Sequence, residues 1–107
     1  MAEIPLHIKQ SLAEYVRNLS QEIHIRSAIV FGSYATGKWT PDSDIDLAIF
    51  SDDFTDMDRV EAITFLLNHT SPYHLDIQPL AFDGQDLQNA AENPFLQEIL
   101  MTGIHIA

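Results

Sequence analysis

The fold is decided by the stretch from Ile29 to Phe50, IVFGSYATGKWTPDSDIDLAIF. It predicts a strand, a glycine turn at Gly32 and Ser33, a loop and a second strand. Asp44 and Asp46 stand two residues apart at the start of the second strand, so both side chains lie on one face of it. The opposite face is apolar and is formed by Ile45, Leu47 and Ile49. A strand of this kind can hold a divalent cation rigidly while its other face is buried.

The length of 107 residues predicts a single domain, residues 1–107, with room for one core. Hydrophobic residues make up 46% of the chain and charged residues 20%, as in soluble globular proteins. The sequence shows no signal peptide and no apolar run of membrane-spanning length, so we expect a cytoplasmic protein that has no contact with a membrane. Because the chain has no cysteine, any metal site must use oxygen or imidazole ligands.

The charge is strongly negative, with 16 acidic residues, 5 basic residues and a formal net charge of -11. Phosphate backbones are bound by clustered Lys and Arg, which this chain lacks, so we expect no direct binding of nucleic acid. The same charge is compatible with a basic protein partner, with retention of divalent cations, or simply with a soluble acidic surface.

Apolar periodicity and turn residues predict a mixed α+β fold in the α/β class, a small sheet of three to four strands flanked by helices. The predicted helices are Leu6–Leu19, a single turn at Ser33–Thr36, a segment from about Met57 to near His69, Gln85–Ala91 and Pro94–Met101. The predicted strands are Ile25–Phe31, Asp44–Phe50, His74–Phe82 and a small one at Ile104–Ile106.

Four local expectations accompany these elements. Residues 51–55 form a polar connection able to cap the third long helix. Pro79 indicates that its strand lies at the edge of the sheet, and Gly103 is expected to end the last helix. The apolar stripe of the helix before His69 is expected to consist of Met57, Val60, Ile63, Thr64 and Leu67.

A third carboxylate, Asp76, lies in the third predicted strand and converges with Asp44 and Asp46 if the second and third strands are neighbours. Hard oxygen ligands of this kind suit Mg²⁺, and two such ions orient a nucleoside triphosphate for in-line displacement. Gly32 lets the backbone approach a phosphate closely, while Ser33 offers hydroxyl and amide donors to a leaving pyrophosphate.

These motifs carry a resemblance to a known family. Gly32-Ser33-Tyr34-Ala35-Thr36-Gly37, then Ser43-Asp44-Ile45-Asp46-Leu47 and the later Asp76 resemble the signature of the DNA polymerase β-type nucleotidyltransferase superfamily. Within it, the short chain resembles the minimal nucleotidyltransferases of the MNT (MntA) antitoxin type, and so does its C-terminal helix from Asn93-Pro94-Phe95 to Gly103.

The resemblance implies a polymerase β-like fold and transfer of AMP from ATP, with two Mg²⁺ ions held by Asp44, Asp46 and Asp76. It implies that Asp76 helps to deprotonate the acceptor hydroxyl and that Gly32, Ser33 and Ser43 contact the nucleotide. The implied partner is a HEPN-type toxin ribonuclease, which such antitoxins bind and silence by adding AMP to a tyrosine. Many relatives have Arg at the position of Thr36, so this chain offers one cation fewer to the triphosphate.

Two other functions are compatible with the sequence. A non-catalytic binding module would neutralise the partner by masking it, and an antibiotic-type enzyme would adenylylate a small molecule. A P-loop is excluded, because Gly32 to Lys38 is followed by Trp39 where Ser or Thr is required, and Pro41 prevents the helix that must follow. Lys38 and Trp39 are each compatible with a contact to the nucleotide or the partner, or with an ordinary surface position. His74 is compatible with a site contact or with an ordinary position at the end of its strand.

Overall fold

The computed structural model describes residues 4–73 and 75–106. Its helices are α1 (Leu6–Leu19), α2 (Ser33–Thr36), α3 (Arg59–Asn68), α4 (Gly84–Gln88) and α5 (Pro94–Thr102). Its strands are β1 (Ser27–Phe31), β2 (Ile45–Phe50), β3 (Ile77–Phe82) and β4 (Ile104–His105). Short 3-10 turns lie at Asp52–Asp56, Ser71–Tyr73 and Ala90–Glu92.

The four strands form one mixed sheet in the order β3-β2-β1-β4. β1 pairs antiparallel with β2 and with β4, whereas β2 and β3 are parallel and in direct register from Ile45 opposite Ile77. The predicted α+β fold class is therefore confirmed. The second and third strands are neighbours, which is the condition under which Asp76 was expected to converge with Asp44 and Asp46. Pro79 lies in the edge strand β3, where a missing backbone donor is tolerated.

Both faces of the sheet are covered. On the first face, α1 and α3 bury the odd-numbered residues of β2, which are Ile45, Leu47 and Ile49. On the second face, α5 and the segment before it pack against Ile29, Ala48 and Phe50. Because side chains alternate along a strand, Asp44 and Asp46 share the second face with Ala48 and Phe50.

The first helix, α1, follows its predicted bounds, and its buried stripe consists of Ile8, Leu12, Tyr15, Val16 and Leu19. Three strands start later than predicted, and the smallest shift is that of β2, which begins at Ile45 and not at Asp44. β1 begins at Ser27 and not at Ile25, because Ser27 pairs with Phe50, the last residue of β2, and no strand residue remains opposite Ile25. β3 begins at Ile77, and His74 lies outside the described residues.

The predicted burial of α3 is wrong. Its buried residues are Ala62 and Leu66, whereas Val60 and Leu67 are 75% and 46% exposed. The helix is capped by Asp58, whose carboxylate accepts from the Glu61 amide at 2.7 Å. The predicted capping segment instead forms a separate 3-10 turn, in which Ser51 Oγ accepts from the Asp53 amide and Phe54 is buried.

The C-terminal part departs from the prediction at one helix. The segment predicted as Gln85–Ala91 is broken at Asn89 into α4 and a 3-10 turn. The helix α5 begins at Pro94 behind the Asn93 cap and ends at Gly103, as expected. Gly103 is extended, and a Cβ there would lie 2.3 Å from Ile29 Cγ2, so its missing side chain allows close packing on β1.

Among the helices of residues 4–73 and 75–106, none combines the length and the apolar character needed to span a bilayer.

Candidate active site

The site begins at the turn after β1, where Gly32 has φ 73° and ψ -147°. The preceding residue, Phe31, pairs with Asp46, so the turn lies directly beside that carboxylate. A Cβ at position 32 would lie 2.3 Å from Asp46 Oδ2. Glycine is therefore required twice, for the backbone conformation and to leave room for Asp46. The predicted approach of a phosphate to Gly32 stays a prediction.

The predicted helical turn is confirmed as α2, which starts at Ser33. The Gly32 carbonyl accepts from the amides of Ala35 and Thr36 at 3.0 and 3.1 Å. Gly37 ends the helix in the left-handed conformation, with φ 82°. The turn holds half-buried Ser33 beside Gly32, next to the position of Asp46.

The loop of residues 37–43 is ordered by two kinds of contact. Trp39 stacks on the buried ring of Tyr34, with centroids 5.3 Å apart and planes 3° from parallel. Ser43 Oγ accepts from the Thr40 amide at 2.8 Å, and the Ser43 amide donates to the Thr40 carbonyl at 3.0 Å. Ser43 thus closes a turn in the loop. Its contact with a nucleotide stays a prediction.

Asp44 and Asp76 lie next to each other on neighbouring strands. The Ile45 amide donates to the Asp76 carbonyl at 2.8 Å, which extends the parallel pairing of β2 and β3 to these aspartates. The two carboxyl groups share a hydrogen bond, and this bond together with the negative charge of Asp76 raises the pKa of Asp44. Desolvation and the charge of Asp46 raise the pKa of Asp44 further.

Asp46 is the least exposed carboxylate of the three, since it packs against Gly32. Desolvation raises its pKa. The strand order places Gly32 after β1, Asp44 and Asp46 at the start of β2, and Asp76 before β3. The site is therefore a row along one end of the sheet.

The donor chemistry of this row fits a magnesium ion. All three side chains offer carboxylate oxygens, and a cation bound between Asp44 and Asp76 would relieve the repulsion between their charges. Within the described ranges, no group of three or more His, Asp or Glu side chains is arranged to hold a metal ion. The Asp44 and Asp76 carboxyl groups are already in contact and can bind one cation together. The contribution of Asp46 to a three-ligand site stays a prediction.

Two cavities flank the row. A cavity of about 470 Å³, named here the α1 cavity, lies between the start of α1 at His7 and Ile8, the loop at Trp39, Pro41 and Ser43, and Asp76. A cavity of about 270 Å³, named the α5 cavity, lies between Gly32, Thr36, Phe31 and the helix residues Phe95 and Ile99. The α1 cavity thus lies at the Asp76 end of the row, and the α5 cavity lies at the Gly32 end.

The sequence model of the family "Polymerase beta, Nucleotidyltransferase" matches residues 10–107. The chain belongs to this nucleotidyltransferase family. The membership predicted from the Gly32-Ser33 and Asp44-Ile45-Asp46 motifs is confirmed. No curated protein matches the sequence of this nucleotidyltransferase.

Solved structures share its fold. A candidate nucleotidyltransferase from Sulfolobus solfataricus superposes with a TM-score of 0.64 at 14% identity, over 98% of this chain and 89% of the other. A chain of a toxin-antitoxin structure with AMP-PNP superposes with a TM-score of 0.62 at 19% identity, over 92% of this chain and 72% of the other.

The carboxylates of this nucleotidyltransferase could be predicted from its sequence, whereas the residues that surround them could not. The stacking of Trp39 on Tyr34, and the position of His7 beside the loop, join segments whose spacing carries no periodic signal. The one available signal was a large aromatic residue in a polar loop. Lys38, adjacent to Trp39, is exposed, and a site role for it stays a prediction.

Proposed function

We propose that this nucleotidyltransferase is Mg²⁺-dependent and transfers AMP from ATP to a hydroxyl of a protein partner, a tyrosine of a HEPN-type toxin, and so acts as its antitoxin. The observation that carries the proposal is the contact between the Asp44 and Asp76 carboxyls, in a row that continues to Asp46 and Gly32. Oxygen ligands and a glycine turn at one sheet end are what the positioning of a triphosphate requires.

In the proposed reaction, the acceptor oxygen forms a bond to the α-phosphorus of ATP, and the bond from that phosphorus to the bridging oxygen breaks. Pyrophosphate leaves toward Gly32 and Ser33. Asp44, Asp46 and Asp76 would hold the magnesium ions, which supply charge neutralisation to the entering and leaving oxygens. Asp76 is exposed and accepts the proton of the acceptor hydroxyl, because it lies at the end of the row opposite Gly32.

A protein acceptor is supported by charge and by structural likeness. The net charge of -11 favours a basic protein partner over a phosphate backbone. The fold is shared with a chain of a toxin-antitoxin structure that contains AMP-PNP. The motif resemblance to minimal nucleotidyltransferases points to the HEPN-type partner and to AMP as the transferred group.

The test mixes the purified chain with its co-expressed partner and MgATP and measures the intact mass of the partner. We expect the mass to increase by one or more AMP groups, and omission of Mg²⁺ should prevent the increase. Asp44→Asn and Asp46→Asn should abolish the transfer and preserve the fold, whereas Asp42→Asn, an exposed loop residue of the same charge, should transfer normally. An unmodified partner, or full activity of both site variants, would contradict the proposal.

Masking without chemistry is the second candidate, and exposed apolar side chains favour it. Val60 and Leu67 are 75% and 46% exposed, lie on one side of α3 two turns apart, and offer apolar surface to a partner. Growth assays with the partner toxin separate the two functions. If Asp44→Asn still silences the toxin in cells, masking is sufficient; if it does not, transfer is required.

A further inference from the structure

The α5 cavity opens on the sheet face that carries Asp46. Phe31, which lines the cavity, is the direct cross-strand partner of Asp46, and directly opposed residues point to the same face of a sheet. Gly32 lines the same cavity. A group inside the α5 cavity therefore lies beside Gly32, toward which pyrophosphate leaves in the proposed reaction.

The wall formed by α5 carries a negative charge. Phe95, Glu98 and Thr102 are separated by three and four residues, so they lie on one face of the helix, and all three line the cavity. Across residues 4–73 and 75–106, the Glu98 carboxylate has neither a hydrogen bond nor an ion pair. Beside a bound triphosphate, this carboxylate would repel the phosphate oxygens unless a cation lay between them.

The surroundings of Glu98 are short of positive charge. Within the described part of the chain, no Lys or Arg lines the α5 cavity. Lys38 is the single Lys or Arg between Arg26 and Arg59, and it lines neither the α5 cavity nor the α1 cavity. A cation at this place therefore has to come from another molecule, and the net charge of -11 favours a basic protein as its source.

The size and the walls of the α5 cavity fit an arginine side chain. Its volume of about 270 Å³ lies below the range of about 300–1,000 Å³ that is typical of small-molecule pockets, so it suits one inserted side chain. The rings of Phe31 and Phe95, with centroids 5.8 Å apart, offer apolar surface to the methylene groups and a π-system to the cation. The Glu98 carboxylate matches a guanidinium group with two parallel hydrogen bonds, whereas the point charge of lysine makes no such paired contact.

We propose that the α5 cavity receives an arginine side chain of the protein partner, which pairs with Glu98 and neutralises charge on the departing pyrophosphate beside Gly32. The inference rests on the proposed function and deepens it, because it makes the partner a part of the nucleotide site as well as the acceptor of AMP. Glu98 is a positioning residue in this arrangement, since it holds the arginine and does not contact the nucleotide. Nucleotide and partner then bind cooperatively, because each supplies the charge that the other needs.

The first test measures the binding of α,β-methylene-ATP with Mg²⁺ by calorimetry, in the free chain and in its complex with the co-expressed partner. This analogue cannot transfer AMP, so only binding is measured. In the original chain, the partner should lower the dissociation constant of the analogue by about tenfold or more. Glu98→Gln should bind the analogue at least as tightly as the original when free, since a repulsive charge is removed, and should lose most of the gain from the partner.

This reversal separates positioning of an arginine from a merely structural role, which would weaken binding of the analogue in both states. Glu92→Gln is the matched control, because Glu92 is an exposed acidic residue just before α5 that does not line the cavity. It should behave as the original chain does. An equal gain from the partner in Glu98→Gln and in the original chain would overturn the inference.

Thr36→Arg supplies the guanidinium group from within the chain, at an exposed position that lines the cavity. The free variant should bind α,β-methylene-ATP about tenfold more tightly than the free original chain, and the partner should then add little. Unchanged affinity of free Thr36→Arg would mean that the α5 cavity does not adjoin the phosphates, and it would overturn the inference as well.

The second test needs no partner and uses L-argininamide as the probe, with L-citrullinamide as the analogue that lacks the guanidinium charge. In the presence of Mg²⁺ and α,β-methylene-ATP, argininamide should raise Tm in a saturable way relative to NaCl of equal ionic strength, and citrullinamide should not. The rise should be absent in Glu98→Gln and present in Glu92→Gln. Equal responses to the two amides would contradict the inference.

The two proposals can fail separately. A partner that strengthens nucleotide binding through Glu98 but is never modified would refute the proposed function and leave the arginine site standing. A partner that Glu98→Gln and the original chain modify at the same rate would support the proposed function and overturn the arginine site.

Discussion

Gly32 combines two constraints in one residue, a positive φ and contact with Asp46. The substitution Gly32→Ala should cost about 1–3 kcal/mol of unfolding free energy, because alanine rarely adopts this conformation. It should also displace Asp46, since the added Cβ would lie 2.3 Å from its carboxylate oxygen. We therefore expect loss of AMP transfer in folded protein, measured by partner mass, with stability measured by urea denaturation.

Gly37→Ala is the control for that strain. Gly37 has φ 82° but lies at the other end of α2. The Gly37→Ala variant should lose a similar free energy of unfolding and keep most of its AMP-transfer activity. Equal activity losses in the two variants would show that backbone strain, and not the position of Asp46, explains the effect of Gly32→Ala.

Asp44 is expected to bind Mg²⁺, but its negative charge beside Asp76 destabilises the folded protein when no cation is bound. Its pKa is raised by the hydrogen bond and the charge of Asp76, so its protonated form is favoured by folding. The stabilisation from that form is complete below the unfolded pKa and is lost as the pH rises through the folded pKa. At neutral pH without Mg²⁺, Asp44→Asn should therefore raise Tm above that of the original protein. The gain should disappear at acidic pH, where Asp44 is protonated, and a lower Tm at neutral pH would contradict the assignment.

The position of the three carboxylates at one end of the sheet could be predicted from the sequence, because it depends on alternation along a strand and on which strands are neighbours. Asp44 and Asp46 required a spacing of two, and Asp76 required a neighbouring strand. The clearance at Gly32 could not be predicted, since it depends on the pairing of Phe31 with Asp46 across two strands. The turn closed by Ser43 depends on side-chain geometry that spacing does not encode.

Among the secondary-structure elements, α3 is the helix whose buried face apolar periodicity predicted wrongly. The segment carries two overlapping apolar stripes, one through Val60 and Leu67 and the other through Ala62 and Leu66. Both satisfy helical spacing, so the sequence does not choose between them. The choice comes from the turn at Asp52–Asp56 and from α1, whose Tyr15 hydroxyl donates to the Leu66 carbonyl at 2.8 Å. By contrast, α1 has a single apolar stripe, and its bounds were predicted correctly.

The C-terminal end of α3 is tied to the segment after α1 by His69 and Glu22. His69 Nδ1 bonds to the Phe65 carbonyl at 2.8 Å, and Nε2 contacts the Glu22 carboxylate. The Phe65 carbonyl, followed by Glu22, raises the pKa of His69 against the effect of desolvation. Protonated His69 therefore stabilises the fold below its unfolded pKa, and this contribution is lost as the pH rises through the folded pKa.

We accordingly expect His69→Gln to lower Tm more at about pH 5.5 than at about pH 8.5, on either side of the titration of histidine. Differential scanning calorimetry measures the difference. Glu22→Gln should show the same pH trend, since the Glu22 carboxylate also favours protonated His69. His24→Gln is the control, because its side chain is exposed and its bond to Asp53 is made by the backbone amide, which the substitution leaves in place. A Tm difference that does not depend on pH would contradict the role of protonated His69.

At the scale of the whole molecule, the net charge of -11 and the carboxylate row respond differently to ions. General repulsion among the acidic residues is screened by any salt, so NaCl should raise Tm gradually. The row should respond to Mg²⁺ specifically, because Asp44 and Asp76 are held together and a cation relieves their repulsion. Screening and binding can therefore be separated at equal ionic strength.

The comparison uses about 10 mM MgCl₂ against about 30 mM NaCl, which have the same ionic strength. An ion present at ten times its Kd stabilises the folded state by about 1.4 kcal/mol. For a chain of this size, that free energy corresponds to a Tm about 6–11 °C higher in MgCl₂ than in NaCl. Asp44→Asn should lose most of this excess and keep the response to NaCl, whereas Asp42→Asn should keep both. Identical Tm values in the two salts would mean that the row binds no magnesium in the free chain, and the ion would then have to arrive with the nucleotide.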